Sequence, residues 1–254
     1  MRRIDGHFVV GGMAHDFDFV RLQLLTLAAE DDRLRLRVSS SFEEVGDGAA
    51  APDPTFLISY TCNVAPSDTA ISRLQNFLAG GGRWVTLHAT NALLDWRPEG
   101  VAGAPITHPF LSLMGSSFQA HPPLGQFTVE PVSAHPVVAG LGPFDVEDEL
   151  YLADLDGAAE VLMATRFSGM APGFIRSDWR DDDPVRPVVY LKQVGAGTIL
   201  HCALGHRRGH YDAPHRTPYL PVCEDGPWKT PAFRMLLRRA IAWAARTDPA
   251  LEMA

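Results

Sequence analysis

Cysteine is scarce in this sequence. There are three in 254 residues, Cys62, Cys202 and Cys223, with no CxxC spacing and one thiol necessarily left over. The pattern fits a reducing cytosol better than a disulfide framework. Long apolar runs are missing too: no stretch would span a bilayer, and the chain meets Asp5 and His7 before any sustained apolar segment, unlike a signal peptide. A cytoplasmic location without a membrane partner is expected. Positive charge is also short, with 22 Lys and Arg against 30 Asp and Glu and a net charge of -8, which argues against a nucleic-acid surface. The small arginine groups, Arg33/Arg35/Arg37, Arg207/Arg208 and Arg238/Arg239, read as solvated charge.

Several catalytic signatures are missing as well. There is no GxGxxG after the first strand candidate, no GxxxxGK[ST] phosphate loop, no HExxH and no GxSxG elbow. Nucleotide binding and serine-hydrolase chemistry thus have no support. Cys62 ends an apolar run, where a small buried thiol is the expected role and a thiol hydrolase the alternative.

What is present is an alternation of β and α patterns. Residues 6–12 read as a strand ending in a glycine pair, and residues 17–30 as a helix with Phe17, Val20, Leu24 and Leu27 at helical spacing. Residues 34–40 and 55–61 read as strands around a loop at 47–54. Ser67 can cap a helix carrying Ile71, Leu74, Phe77 and Leu78 on one face, with the glycines at 80–82 ending it before the strand that runs to His88. This order predicts an α/β protein with a mainly parallel sheet and helices on both faces.

From 95 to 125 the prolines at 98, 105, 109, 122 and 123 argue against any long element. Strands are expected over 126–131, 145–152 and 160–167, then a surface loop over 172–187 containing Trp179. Residues 188–192 and 197–203 read as a hairpin, and a final helix, capped by Thr230 and opened by Pro231, buries Phe233, Leu236, Leu237, Ala240, Ile241 and Trp243. No linker separates two periodic halves, so residues 1–254 are expected to form a single domain. The last helix and the loops rich in Pro and Trp are candidates for a homodimer contact.

Three apolar strands are each followed closely by a histidine: His15, His88 and His206. The C-terminal ends of parallel strands share one edge, where such folds place their ligands, so the three are expected to converge. Each alone could instead be a hydrogen-bonded structural histidine. Together they could orient a substrate, move protons or hold a divalent metal such as Zn or Mn, and a nearby carboxylate would complete such a site. Glu149, in the run Glu147-Asp148-Glu149 before Tyr151, is the preferred one, with at least one of these carboxylates expected to face water. His121 and His135 stand before prolines and are weaker candidates, and 206–212 reads as a polar, glycine-hinged binding loop containing His210.

These residues carry a resemblance. Gly11-Gly12 with His15-Asp16-Phe17, residues 81–89 (GGRWVTLHA), 125–129 with His135-Pro136-Val137, Asp148-Glu149-Leu150-Tyr151, 195–206 (GAGTILHCALGH) and 233–244 follow the order of the ThuA-like family, the trehalose-utilisation type. The resemblance implies a flavodoxin-like, class I glutamine amidotransferase-like three-layer sandwich. In amidotransferase relatives the strand before His88 ends in a nucleophilic cysteine, so His88 in that place argues against glutaminase chemistry. The resemblance implies a carbohydrate ligand, in pathways that include 3-keto-sugars. It implies His88, His15 and Glu149 as catalytic groups, and Gly12, Asp16, His121, Tyr151, His206 and His210 as substrate contacts. A non-catalytic carbohydrate-binding or regulatory protein on the same fold is the alternative expectation.

Overall fold

The computed structural model describes residues 2–48, 53–157, 159–181, 183–214 and 216–252. Part of the expected 47–54 loop, at 49–52, lies outside the described residues, as does Asp182 of the aspartate run. The elements, in chain order, are β1 (Ile4–Gly12), α1 (Phe17–Ala28), β2 (Leu34–Ser39), β3 (Phe56–Cys62), α2 (Asp68–Ala79), β4 (Arg83–Leu87), β5 (Leu94–Arg97) and β6 (Gly100–Gly103). They continue with α3 (Pro109–Met114), β7 (Ser116–Ala120), β8 (Gly125–Pro131), β9 (Phe144–Asp148), β10 (Leu152–Leu155), β11 (Glu160–Arg166), β12 (Val185–Val194), β13 (Gly197–Cys202) and α4 (Pro231–Ala245).

Nine strands form one sheet in the order β2-β1-β3-β4-β13-β12-β11-β8-β9. The first five run parallel, and from β12 onward each neighbour is antiparallel. The parallel strands are apolar on both faces because helices cover both. Along β1, Phe8 and Val10 face the core under α1 and α4, whereas Val9 joins Leu57, Trp84 and Ile199 under α2 and α3. Phe233 of α4 is fully buried in the first core, and truncating it to alanine would cost about 3–5 kcal/mol. At the helix starts the Asp16 side chain accepts from the Phe19 amide, Ser67 Oγ accepts from the Ala70 amide, and Pro231 occupies the first turn of α4, but the Thr230 side chain makes no capping hydrogen bond there, contrary to expectation.

The 95–125 stretch holds no long element, as its prolines predict, but it does hold short ones. Pro109 opens α3, in the first turn where a missing N–H costs nothing, and β5–β6 and β7 also lie in the 95–125 stretch. The strand expected over 145–152 is two, β9 and β10 in different sheets, broken at Glu149–Tyr151. The expected surface loop over 172–187 is tied down: Trp179 is buried, its indole donates to the Arg176 carbonyl, and the Arg176 guanidinium lies 3.7 Å from its ring centroid. Trp179 is thus not presented to a dimer contact.

Candidate metal and substrate site

Loop geometry at the C-terminal edge of the parallel strands brings the site together. After β1, Gly12 adopts φ +122°, where a Cβ would come within 2.0 Å of the Cys62 carbonyl oxygen, and the chain turns through Ala14 to present His15. After β4, His88 itself has φ +45° and starts a 3-10 turn, a strand-to-helix bend that a non-glycine residue adopts only at a cost of about 1–3 kcal/mol. After β13, Gly205 at φ +132° leads to His206. The buried Asp148 carboxylate fastens this loop to the end of β9 by accepting the amides of Gly205 (2.8 Å), His206 (3.0 Å) and Glu149 (2.8 Å). Burial raises Asp148 to about 7 against the pull of His206 and these amides.

His15, His88, Glu149 and His206 each offer a ligand atom, and all four atoms lie within 4.8 Å of one another in a buried cluster. The hydrogen bonds assign the tautomers. His15 Nδ1 donates to the Met13 carbonyl (3.1 Å) and His88 Nδ1 to the Ala203 carbonyl (2.8 Å), which leaves both Nε2 atoms as lone pairs facing each other at 3.1 Å. His206 Nε2 donates to Glu224 Oε2 (2.8 Å); its buried Nδ1 lies 3.1 Å from Glu149 Oε2 but makes no hydrogen bond. Two opposed lone pairs, an unpartnered ring nitrogen and a carboxylate fit a divalent cation, with carbonyls and a carboxylate orienting the rings from behind.

Charge in the cluster is strongly perturbed. Burial, helped by His206, lowers His15 to about 3, and burial with the two neighbouring histidines holds His88 well below its usual value. Both rings are therefore neutral, the form that ligates. Burial opposes ionisation of Glu149, but His206, His121 and Arg208 outweigh it and hold the carboxyl well below its usual range. Burial likewise opposes protonation of His206, yet Glu149 and Glu224 raise it to about 9.

Arg208 belongs to the site, contrary to the expectation of solvated charge. It is 6% exposed and donates to the Ala14 carbonyl (2.9 Å), Glu149 (3.2 Å) and Glu224 (2.5 Å), joining all three segments. Arg207, its neighbour, pairs with Asp225 and lies across the Phe19 ring. The sequence reading also missed Glu224, which follows a proline-rich loop and reaches the site by pairing its backbone with that of Arg208.

His15 and Glu149 line a cavity of about 600 Å³, with His121, Tyr151, Arg208, Glu224 and Cys62. Tyr151 packs on His88 at 4.1 Å between ring centroids and stacks with His121 at 6.0 Å. His121 Nδ1 donates to the Pro122 carbonyl, which turns Nε2 towards Glu149 at 3.7 Å. His88 and His206 sit behind this surface, fully buried. The remaining expected residues are elsewhere: Asp16 caps α1, Gly12 packs against Cys62, and His210 donates to the Leu220 carbonyl and stacks on Tyr219. His135 accepts from the Val137 amide in its own turn. Glu147 is exposed, as expected for one of the three carboxylates. Burial pushes the Cys62 thiol up to about 12, so it is protonated and no ready nucleophile.

Fold and site together define an α/β protein with a buried cluster of three histidines and a glutamate at the C-terminal edge of its sheet. The chain belongs to the ThuA family, described as trehalose utilisation, whose model matches residues 55–220. The same fold is found in a ThuA-like protein from Parabacteroides merdae (TM-score 0.65, 17% identity, 97% of this chain and 91% of that one). A ThuA-like protein from Bacteroides uniformis is similar (TM-score 0.66, 15% identity, 98% and 94%). A β-galactosidase from Rahnella sp. R3 shares the fold over 81% of this chain and 29% of its own (TM-score 0.53, 13% identity). No curated protein matches the sequence.

Proposed function

We propose that the protein is a single-domain, sugar-modifying enzyme of carbohydrate catabolism, acting on a (keto-)glycoside or disaccharide with a divalent metal, Zn or Mn, held by His15, His88, His206 and Glu149. The observation that carries this reading is the pair of unprotonated Nε2 atoms opposed at 3.1 Å beside a buried carboxylate on a cavity wall. The trehalose-utilisation description of the family supports a sugar as the ligand. The positive φ at His88 supports an amidotransferase-like ancestry, since a strained strand-to-helix bend is how such folds expose a nucleophile. An imidazole there cannot take over the chemistry of a thiolate.

A bound cation would supply Lewis acidity to a carbonyl or hydroxyl oxygen of the sugar. The chain's own residues divide the rest. His121, on the cavity wall with its Nδ1 held by the Pro122 carbonyl, takes a proton through Nε2 from the carbon beside a sugar ketone, a step in which a positioned base contributes roughly 10²–10⁴-fold. Glu149 orients that imidazole and balances the charge it gains. Tyr151, packed between His88 and His121, keeps the two rings apart.

Purified protein supplied with Zn or Mn should convert a 3-keto-glycoside, followed chromatographically, whereas His88→Ala should not while retaining a native circular dichroism spectrum. Full turnover by His88→Ala would overturn the reading. Saturable sugar binding without product under any metal would make this a carbohydrate-binding protein instead.

A further inference from the structure

Most of the charged groups that line the cavity are already committed to one another. Arg208 gives Nε to the Ala14 carbonyl and its two terminal nitrogens to Glu224 and Glu149. Glu224 also accepts from His206, and Glu149 lies in the four-ligand cluster. Arg216 lines the same cavity and stands apart from this network. It is exposed, and its guanidinium makes no ion pair or hydrogen bond with any described residue. Tyr151 is a second uncommitted group: its ring is only 5% exposed, and its hydroxyl makes no hydrogen bond to a described residue.

The loop that carries Arg216 grows out of the site itself. Arg208 and Glu224 exchange backbone hydrogen bonds in both directions, at 3.0 and 2.8 Å. One step further out the Leu220 amide donates to the His210 carbonyl at 2.7 Å, and His210 Nδ1 donates to the Leu220 carbonyl at 2.6 Å. At the tip the Arg216 and Thr217 amides both donate to the carbonyl of buried Ala213, each at 2.9 Å. The residues that brace His206 and Glu149 therefore also fix the stem that brings Arg216 to the cavity.

We propose that the cavity binds an anionic sugar, one bearing a carboxylate or a phosphate ester, and that Arg216 recognises the acidic group; this rests on the reading of the site as a sugar site. A guanidinium is a planar fork that meets two oxygens of either group in parallel, charge-assisted hydrogen bonds, stronger than those it makes to a hydroxyl. Neither carboxylate of the described lining competes for it, because Arg208 and the histidines hold Glu149 and Glu224. The Tyr151 hydroxyl adds a neutral donor for an acceptor oxygen. The net charge of -8 opposes an anion little at this range, since beyond about 8 Å charges are largely screened at physiological salt.

Calorimetric titration of the full chain, metal-free and loaded with Zn, separates the outcomes. The probes are methyl glucoside, methyl glucuronide, glucose 6-phosphate, acetate and inorganic phosphate, with the sugars also in galacto configuration. At least one sugar anion should bind about tenfold more tightly than methyl glucoside of the same configuration, and the tighter of the two distinguishes carboxylate from phosphate ester. That ratio should fall towards one in Arg216→Gln, recover in part in Arg216→Lys, and shrink as NaCl is raised. A ratio of one in the unmodified protein, or a ratio that persists in Arg216→Gln, would overturn the anion site while methyl glucoside binding leaves the sugar reading intact. Acetate or phosphate binding as tightly as the sugar anions, with no methyl glucoside binding, would keep the anion site and overturn the sugar reading. Failure of every probe to bind would overturn both.

Discussion

His15 and His88 point unprotonated Nε2 atoms at each other across 3.1 Å, while both Nδ1 protons are committed to backbone carbonyls. Neither ring can turn to relieve the contact without breaking its carbonyl bond. A cation between the rings would convert a repulsive pair into two ligand bonds. The protein should therefore take up about one equivalent of Zn or Mn, measured by elemental analysis after dialysis, and His88→Ala should take up none.

Glu224 holds the far nitrogen of His206 and shares Arg208 with Glu149. Glu224→Gln removes the charge that orients and strengthens His206 without touching the ligand atoms. Metal affinity should fall by about 10–100-fold, read by competition with a chelating indicator.

Arg208 compensates the buried Glu149 and Glu224 carboxylates. Arg208→Met should destabilise the fold by about 3–5 kcal/mol in urea denaturation, because a buried charge loses its partner. The double variant with Glu149→Gln should recover part of that loss; a purely additive double variant would show the two side chains to be uncoupled.

Much of this arrangement was legible in sequence. The parallel half announced itself by apolar runs and by the glycines that end α2, and the three strand ends delivered His15, His88 and His206 to one place, as the edge rule requires. Glu149 was readable only through its neighbours. Arg208 and Glu224 were not readable, because an arginine beside a second arginine looks like surface charge until its carboxylates are placed. Glu224 comes from a loop with no periodicity. The small strands β5, β6 and β7 escaped for a similar reason: elements of four or five residues show no periodicity of their own and take their shape from what they dock against.

His201 lies outside the metal cluster, buried beside Thr86, and burial alone lowers it to about 3. It is neutral in the fold, whereas the unfolded chain protonates it below its ordinary value of 6.5. Its contribution is thus present above 6.5 and lost as the pH falls from there towards 3, with a slope of up to about 1.4 kcal/mol per pH unit. Denaturation midpoints of His201→Gln between pH 4 and 7 should show a correspondingly shallower fall with acid than the parent.

Gly12 combines φ +122° with the carbonyl oxygen of Cys62 where a side chain would begin. Gly12→Ala should cost at least about 3 kcal/mol of stability by urea denaturation and weaken metal uptake by displacing His15. A stable variant with intact metal uptake would show that the turn tolerates a side chain.

The four candidate ligands come from residues 15, 88, 149 and 206, so the cluster exists only once both the parallel and antiparallel parts of the sheet have docked. A fragment cut to the family-model limits, 55–220, would keep three of them and lose both His15 and Glu224. A bound cation would then act as a clasp on a long-range closure, rewarding only the fully docked fold. Each tenfold excess of free ion over its dissociation constant would add about 1.4 kcal/mol to the native state alone.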